Sequence, residues 1–472
     1  MRPSLIGSAR QFAMVFVSDS FVFLFLPLFL TVYAVVSARL RNATILLFSL
    51  VFYGWWRFDF LPLLIAIASW SWATGLWIVR SSGRERQLAL TAAIVAPLAS
   101  LIWFKYANLL VETASVLGAP VEHWTAIPLP IGLSFFVFGA ISYSVDVFRK
   151  TVAAEPSFVN YATYQAMFGH LVAGPVVRYQ SVAERLSSRT FHLSEFTEGW
   201  RRFMLGFAQK VLLGDTLAPL VDAGYALPNP SVADVALTVT AYTLHLYFDF
   251  AGYSSMAIGL GLMVGLKFPE NFDNPYLSRS ITEFWRRWHI SLSSWLRDYL
   301  YIPLGGNRVG KVRSYFNLLI TMALGGLWHG ASWTFLVWGI WHGLGLIVAR
   351  LWNVAGAPPI PTFISHLLTL AFVMVGWLLF RAQDWQAAQT MLSGLLGFHG
   401  LALSSPMAAA ARPTELLTVC IGLLAVYAPT LPPSRLRAYI ARPPFELALL
   451  LWLCALWTIQ SRTVIPFLYF QF

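Results

Sequence analysis

The chain has 472 residues, of which 58% are hydrophobic and only 11% charged, with a net charge of +11. A soluble domain carries about 25% charged residues, so composition excludes a soluble globular fold and leaves room for roughly a dozen spans of ~20 residues each. In a soluble protein the basic excess would point to nucleic acid. Here it reads as cytoplasmic loop charge, and no nucleic-acid partner is expected.

Charge-free runs at residues 21–38, 43–56, 60–79, 88–104, 128–145, 416–433 and 447–460 are predicted spans. No small-residue cleavage site follows the first run, so no cleavable signal peptide is expected. The early loops alternate in charge: Arg39 and Arg41 are basic, Arg57 with Asp59 is near neutral, and Arg80, Arg84 and Arg86 are basic again. Lys105, Glu112 and Glu122 are net acidic, and Arg149 with Lys150 closes the series. The alternation predicts an outside N-terminus, with the first, third and fifth loops inside. Arg2 and Arg10 fit that poorly, so Met14 is read as the natural start and residues 1–13 as a non-native or mis-assigned extension. Residues 14–472 then form one helical membrane domain.

Phe168-Gly-His-Leu-Val-Ala-Gly-Pro175 is apolar but short, and reads as a half-helix or re-entrant piece that protein must bury. Residues 196–222 carry Arg201, Arg202, Lys210 and Asp215, so this helix needs a protein or water-facing side. Within 233–266, His245 and Asp249 share a helix face at i, i+4 and are expected to form a buried hydrogen-bonded pair, not a metal site. Residues 281–300 read as one amphipathic helix, with Phe284, Trp288, Leu292 and Trp295 on the apolar face and Arg286, Arg287, Arg297 and Asp298 elsewhere. Arg286 and Arg287 suit lipid phosphate, a nucleotide-bearing donor or simple interfacial anchoring. After a turn at 304–308, two close helices are expected at 315–331 and 332–349. Spans near 364–380, 414–433 and 446–462 follow, then an aromatic tail at 466–472. Cys420 and Cys454 lie in predicted spans and read as core packing, not as a disulfide.

Two histidines stand out. His329 lies in Leu324-Gly-Gly-Leu-Trp-His-Gly-Ala331, and His289 in Phe284-Trp-Arg-Arg-Trp-His-Ile-Ser291. An imidazole at membrane depth needs a partner or a job. The glycines around His329 allow close backbone approach and suggest room for a ligand. As a pair the histidines suit direct acyl transfer, one taking a proton from a hydroxyl while the other orients the reactants. Ser291 and Ser293 lie near His289 without any nucleophile elbow. Of the chain's 20 tryptophans, only Trp288 and Trp328 stand beside these histidines. His342, in Trp341-His-Gly343, either lines the same cavity or is a packed helix histidine. A proton-coupled transporter is the reading of another class, though no inverted repeat is visible.

Residues 271–345 resemble the signature region of the membrane-bound O-acyltransferase family: Asn271-Phe272, Asn274-Pro275-Tyr276, Phe284–Ser293, Trp295–Arg308 and Gly325–Ala331. His170–Pro175, Tyr247–Ser254, Met14-Val-Phe16 and the closing Tyr469–Phe472 extend the likeness to the bacterial alginate O-acetylation branch over nearly the whole chain. One departure is Ser255, where that branch usually has Asp. The resemblance implies an all-α polytopic protein, with about 11–14 transmembrane and re-entrant helices around a central funnel or tunnel. It makes His329 the essential histidine and His289 the second, semi-variable polar position. Trp288, Trp328, Asn271, Asp249, His245, Tyr253, Arg286 and Arg287 become candidates for the substrate path, with no metal. It also implies an inner-membrane enzyme with no bound cofactor, taking acetyl from acetyl-CoA or another acyl thioester. A periplasmic acetyltransferase and an exopolysaccharide synthase complex are the implied partners, and alginate or cellulose the polymer. D-alanyl transfer on the same fold is the enzymatic alternative.

Overall fold

A computed structural model of the chain describes residues 14–121 and 124–461. The expected extension at 1–13 and the aromatic tail at 466–472 lie outside the described residues. Among those described, every regular element is helical. Six helices are long and apolar enough to cross a membrane: Phe58–Arg80, Gly83–Val116, Leu193–Tyr225, Trp333–Val354, Thr362–Arg381 and Pro413–Thr430. Two shorter apolar helices, Ser20–Val35 and Phe445–Gln460, match the first and last expected spans.

The predicted run at 128–145 becomes Leu133–Arg149. It starts late because Pro128 and Pro130 lack N–H groups and Gly132 sits at φ +76°. The run at 88–104 lies inside the 34-residue helix Gly83–Val116. The helices expected at 315–331 and 332–349 are Lys311–His329 and Trp333–Val354.

The described chain divides into two compact units, residues 14–203 with 253–269, and 204–252 with 270–461. In the first, Phe168 packs edge-on against Phe25 (5.2 Å) and Phe29 (5.1 Å), and its N–H donates to Ser49 Oγ at 3.1 Å. These contacts bury the four-residue helix Phe168–Leu171, the short apolar piece that its sequence predicts protein must bury. Tyr164 Oη donates to the Val177 carbonyl at 3.2 Å, satisfying part of the irregular backbone beyond it.

In the second unit the close pair Lys311–His329 and Trp333–Val354 is set by glycines. A Cβ on Gly326 would meet the Phe335 carbonyl oxygen at 2.2 Å, and one on Gly339 the Met322 oxygen at 2.3 Å. One on Gly330 would strike the Phe335 ring at 2.2 Å. The glycines around His329 therefore admit neighbouring protein on the sides where a Cβ would project, where the sequence suggested room for a ligand. This is the small-residue packing by which membrane helices approach one another.

The cysteines also depart from expectation. Cys420 and Cys454 are both exposed on their helices. A membrane helix turns apolar side chains outward to lipid as readily as inward, so a thiol in an apolar run need not be core.

Replacing Gly326 with Val should lower the yield and melting temperature of the purified protein, since overpacking costs about 1–3 kcal/mol. Gly54→Ala, whose added methyl finds its nearest atom at 3.7 Å, should melt at or above wild type. Equal melting of Gly326→Val and wild type would refute the packing role.

Candidate active site

The amphipathic segment is not one helix. It divides into Ile281–Arg287 and Ile290–Leu296, continuing as a π-helical turn at Arg297–Tyr301. His289 stands at the break in the left-handed region, at φ +42° and ψ +55°. That conformation costs a non-glycine residue about 1–3 kcal/mol unless its surroundings impose it.

Asn271 imposes it. A helix start leaves its first backbone N–H groups without partners. The Asn271 carbonyl accepts from Ile290 N–H at 3.0 Å. Its Oδ1 accepts from Ser291 Oγ at 2.8 Å and Ser291 N–H at 3.4 Å. The same Oδ1 lies 3.0 Å from His289 Nδ1. Because the Ser291 amide can only donate, the atom it meets is the amide oxygen of Asn271. His289 Nδ1 must then carry the proton, which leaves Nε2 as the acceptor. His289 is 0% exposed, and its Nε2 has no hydrogen-bond partner among the described residues. The loop bearing Asn271 is itself clasped, with Asp273 N–H donating to the Arg287 carbonyl at 2.9 Å and Tyr276 Oη to the Thr243 carbonyl at 2.8 Å.

His329 ends the helix Lys311–His329 and is buried. Its ring centroid is 6.4 Å from that of His289. Trp328 (5.0 Å), Trp338 (5.0 Å) and Phe380 (5.2 Å) surround it. Phe250 meets the His289 ring edge-to-face at 4.7 Å. Two imidazoles thus come together from separate helices inside an aromatic wall that excludes water.

The other sequence candidates divide. Asn271 and Trp328 belong to this site. Trp288 is buried. It is packed among Trp377 (4.8 Å), Phe272 (5.0 Å) and Phe284 (5.7 Å). Arg286 is exposed, and Arg287 pairs with Glu283 at 2.8 Å. Tyr253 belongs to the first unit, where it stacks on Phe16 at 4.6 Å. His342 is fully buried, and neither ring nitrogen has a partner among the described residues. Trp338 lies against both His329 and His342, the latter at 4.8 Å.

His245 and Asp249 each find a partner other than the one expected. His245 Nδ1 donates to the Gly214 carbonyl at 2.6 Å, and Asp249 forms an ion pair with Lys210 at 2.9 Å. Lys210 also pairs with Asp215. It lies in a π-helical stretch, Gln209–Gly214, which puts its ammonium among carboxylates in the interior. Spacing on one helix suggested a two-residue pair, but the charge came from a helix distant in sequence.

Phe250, Ser291, Trp338 and Phe380 complete the histidine surroundings and were not singled out as site members. Ser291 carried the one available signal, two residues after His289. The aromatic residues looked like any others in an apolar chain.

Removing Lys210 as Lys210→Met strands two carboxylates, and breaking such buried pairs costs about 3–5 kcal/mol. Folded yield on size exclusion should collapse. Asp249→Ala leaves Lys210 with Asp215 and should lose less. Normal yield for both variants would refute a structural charge cluster.

The membrane-bound O-acyltransferase family model matches residues 68–385. A protein of Azotobacter vinelandii named "Probable alginate O-acetylase AlgI" is 46% identical over 440 residues, covering 91% of this chain and 86% of its own length. One of the same name from Pseudomonas aeruginosa is 47% identical over 399 residues, covering 83% and 76%. A peptidoglycan O-acetyltransferase of Helicobacter pylori is 31% identical over 440 residues, covering 85% and 84%.

Proposed function

The chain belongs to the membrane-bound O-acyltransferase family and is a multi-pass membrane acyltransferase, and from that premise we propose that it carries acetyl groups across the bacterial inner membrane for O-acetylation of an exopolysaccharide. The donor is cytoplasmic, acetyl-CoA or another acyl thioester. The polymer is alginate, as the names of the similar proteins suggest, with cellulose second. A periplasmic acetyltransferase of the same polysaccharide system receives the acetyl group, alongside the polymer's synthase complex.

The observation carrying this reading is the pair of buried imidazoles, 6.4 Å apart, with an acceptor nitrogen of His289 left open. His329 acts as base. It takes the proton of the acceptor hydroxyl as that oxygen attacks the thioester carbonyl, and returns it to the departing thiolate. His289 Nε2 accepts a hydrogen bond from a second donor on the acceptor and so fixes its orientation. The aromatic wall of Trp328, Trp338 and Phe380 keeps water from competing for the acyl carbon.

Base catalysis contributes ~10²–10⁴-fold, so His329→Ala or His329→Gln should abolish labelled-acetyl transfer in inverted vesicles while the protein elutes as folded. His289→Asn keeps an acceptor and should retain partial activity, whereas His289→Ala should lose more. Near wild-type acetylation by folded His329→Ala overturns the mechanism. If His289→Asn is as inactive as His329→Ala, the acceptor-only role of His289 fails. Labelled D-alanine in place of acetyl in the product would support teichoic acid chemistry instead. Proton movement with no acylated product would support a transporter.

A further inference from the structure

The helix that ends at His329 begins at a different kind of surface. Between Asp298 and Asp384 the sequence has no acidic residue, yet it holds Arg308, Lys311, Arg313, Arg350 and Arg381. Four of these gather around the start of Lys311–His329. Arg308, Lys311 and Arg313 are exposed and have no ion-pair or side-chain hydrogen-bond partner among the described residues. Arg350 crosses from the other helix of the close pair and donates to two neutral atoms, Asn307 Oδ1 at 2.8 Å and Ser314 Oγ at 3.0 Å. Among the described residues no carboxylate pairs with the group.

Beside these cations the surface is concave. An open groove of about 770 Å³ is lined by Lys311 and Arg313 together with Leu304, Val309, Phe316 and Ile320. That volume lies within the range of small-molecule sites, about 300–1,000 Å³. Leading away from it, Val312, Phe316, Ile320 and Leu324 recur every four residues along one helix face. Val312 is 83% exposed, Phe316 60% and Leu324 45%. Arg350 lies in the last turns of the membrane-span candidate Trp333–Val354, which places the cations at a membrane boundary.

We propose that this groove is a binding site for an anionic phospholipid, with its phosphate among Arg308, Lys311 and Arg313 and an acyl chain along the Val312–Phe316–Leu324 face. Uncompensated positive charge at a membrane boundary attracts anionic headgroups. An apolar stripe running from the same point along the helix supplies what a soluble anion could not use. The groove stands at the opposite end of the helix from His329, about 27 Å away at 1.5 Å per residue, so occupancy does not require contact with the histidines.

Native mass spectrometry of the full-length protein tests this, from neutral micelles doped with equal amounts of phosphatidylglycerol and phosphatidylcholine. Wild type should retain phosphatidylglycerol in preference. Each lost cation should weaken retention about fivefold, so Lys311→Gln/Arg313→Gln should reduce it about 25-fold, while Arg84→Gln in the other unit leaves it unchanged. Should the double variant fail to purify, Arg308→Gln alone should show the fivefold loss. Equal retention of the two lipids, undiminished adducts in the variants, or displacement by excess glycerol 3-phosphate would each overturn the proposal. The last result would mark the groove as a site for a soluble phosphate.

Discussion

The hold of Asn271 on the broken segment at 281–301 is the constraint on which the site depends. A helix interrupted inside a membrane protein exposes amide groups that neither lipid nor a dry interior can satisfy. Asn271 answers with both of its oxygens, one for Ile290 and one shared by Ser291 and His289. The same contacts that make the break tolerable also fix the His289 tautomer. Structure and chemistry therefore share one residue. A side chain without an acceptor at position 271 would leave Ile290 on the main-chain carbonyl but release Ser291 and the imidazole together.

The surroundings explain why the pair is kept dry. His329 meets Trp328, Trp338 and Phe380, and His289 meets Phe250, all edge-on or nearly so. Edges of aromatic rings carry partial positive charge, and the lone pairs and faces of neutral imidazoles accept that contact. A dry wall also strengthens every polar contact that a reactant makes inside it. The cluster of Lys210, Asp215 and Asp249 follows a different logic. One ammonium is shared between two carboxylates, so the cluster spends its polarity internally.

Much of this was legible in the sequence, and the limits have physical causes. Apolar run lengths placed most of the spans within a few residues, the helix Gly83–Val116 running 12 residues past its expected end at 104, and the shortness of Phe168–Leu171 marked it as a piece for protein to bury. The two histidines and Asn271 were named from their motifs, and the structure brings them together. The break at His289 was not visible. Phe284, Trp288, Leu292 and Trp295 keep helical phase across it and are all buried, so periodicity reads straight through. What interrupts the helix is a residue 18 positions upstream, as the Asn271–His289 contact records. The glycines were misread for a related reason. A missing side chain leaves space, and only the fold says whether protein or ligand fills it. The cysteines misled because lipid and core select the same apolar neighbours.

The spacing of the two histidines has its own structural origin. His289 leads directly into Ile290–Leu296, and a Cβ on Gly325 would lie 3.0 Å from Leu296 Cδ1. Gly325 is one helical turn before His329. The helix that begins at one histidine therefore packs against the helix that ends at the other, with the Leu296 side chain seated where Gly325 has none. Gly326, the next residue, is pressed against the Phe335 carbonyl on Trp333–Val354. Successive glycines thus seat a single helix against two neighbours on different sides. The Gly326 contact is backbone-close and cannot slide without a clash, so it fixes the end of the helix that carries His329. Preorganisation of this kind is what the proposed direct transfer would draw on, since donor and acceptor would have to meet in one geometry at one moment. The Gly-Gly of the motif thus serves the site through packing.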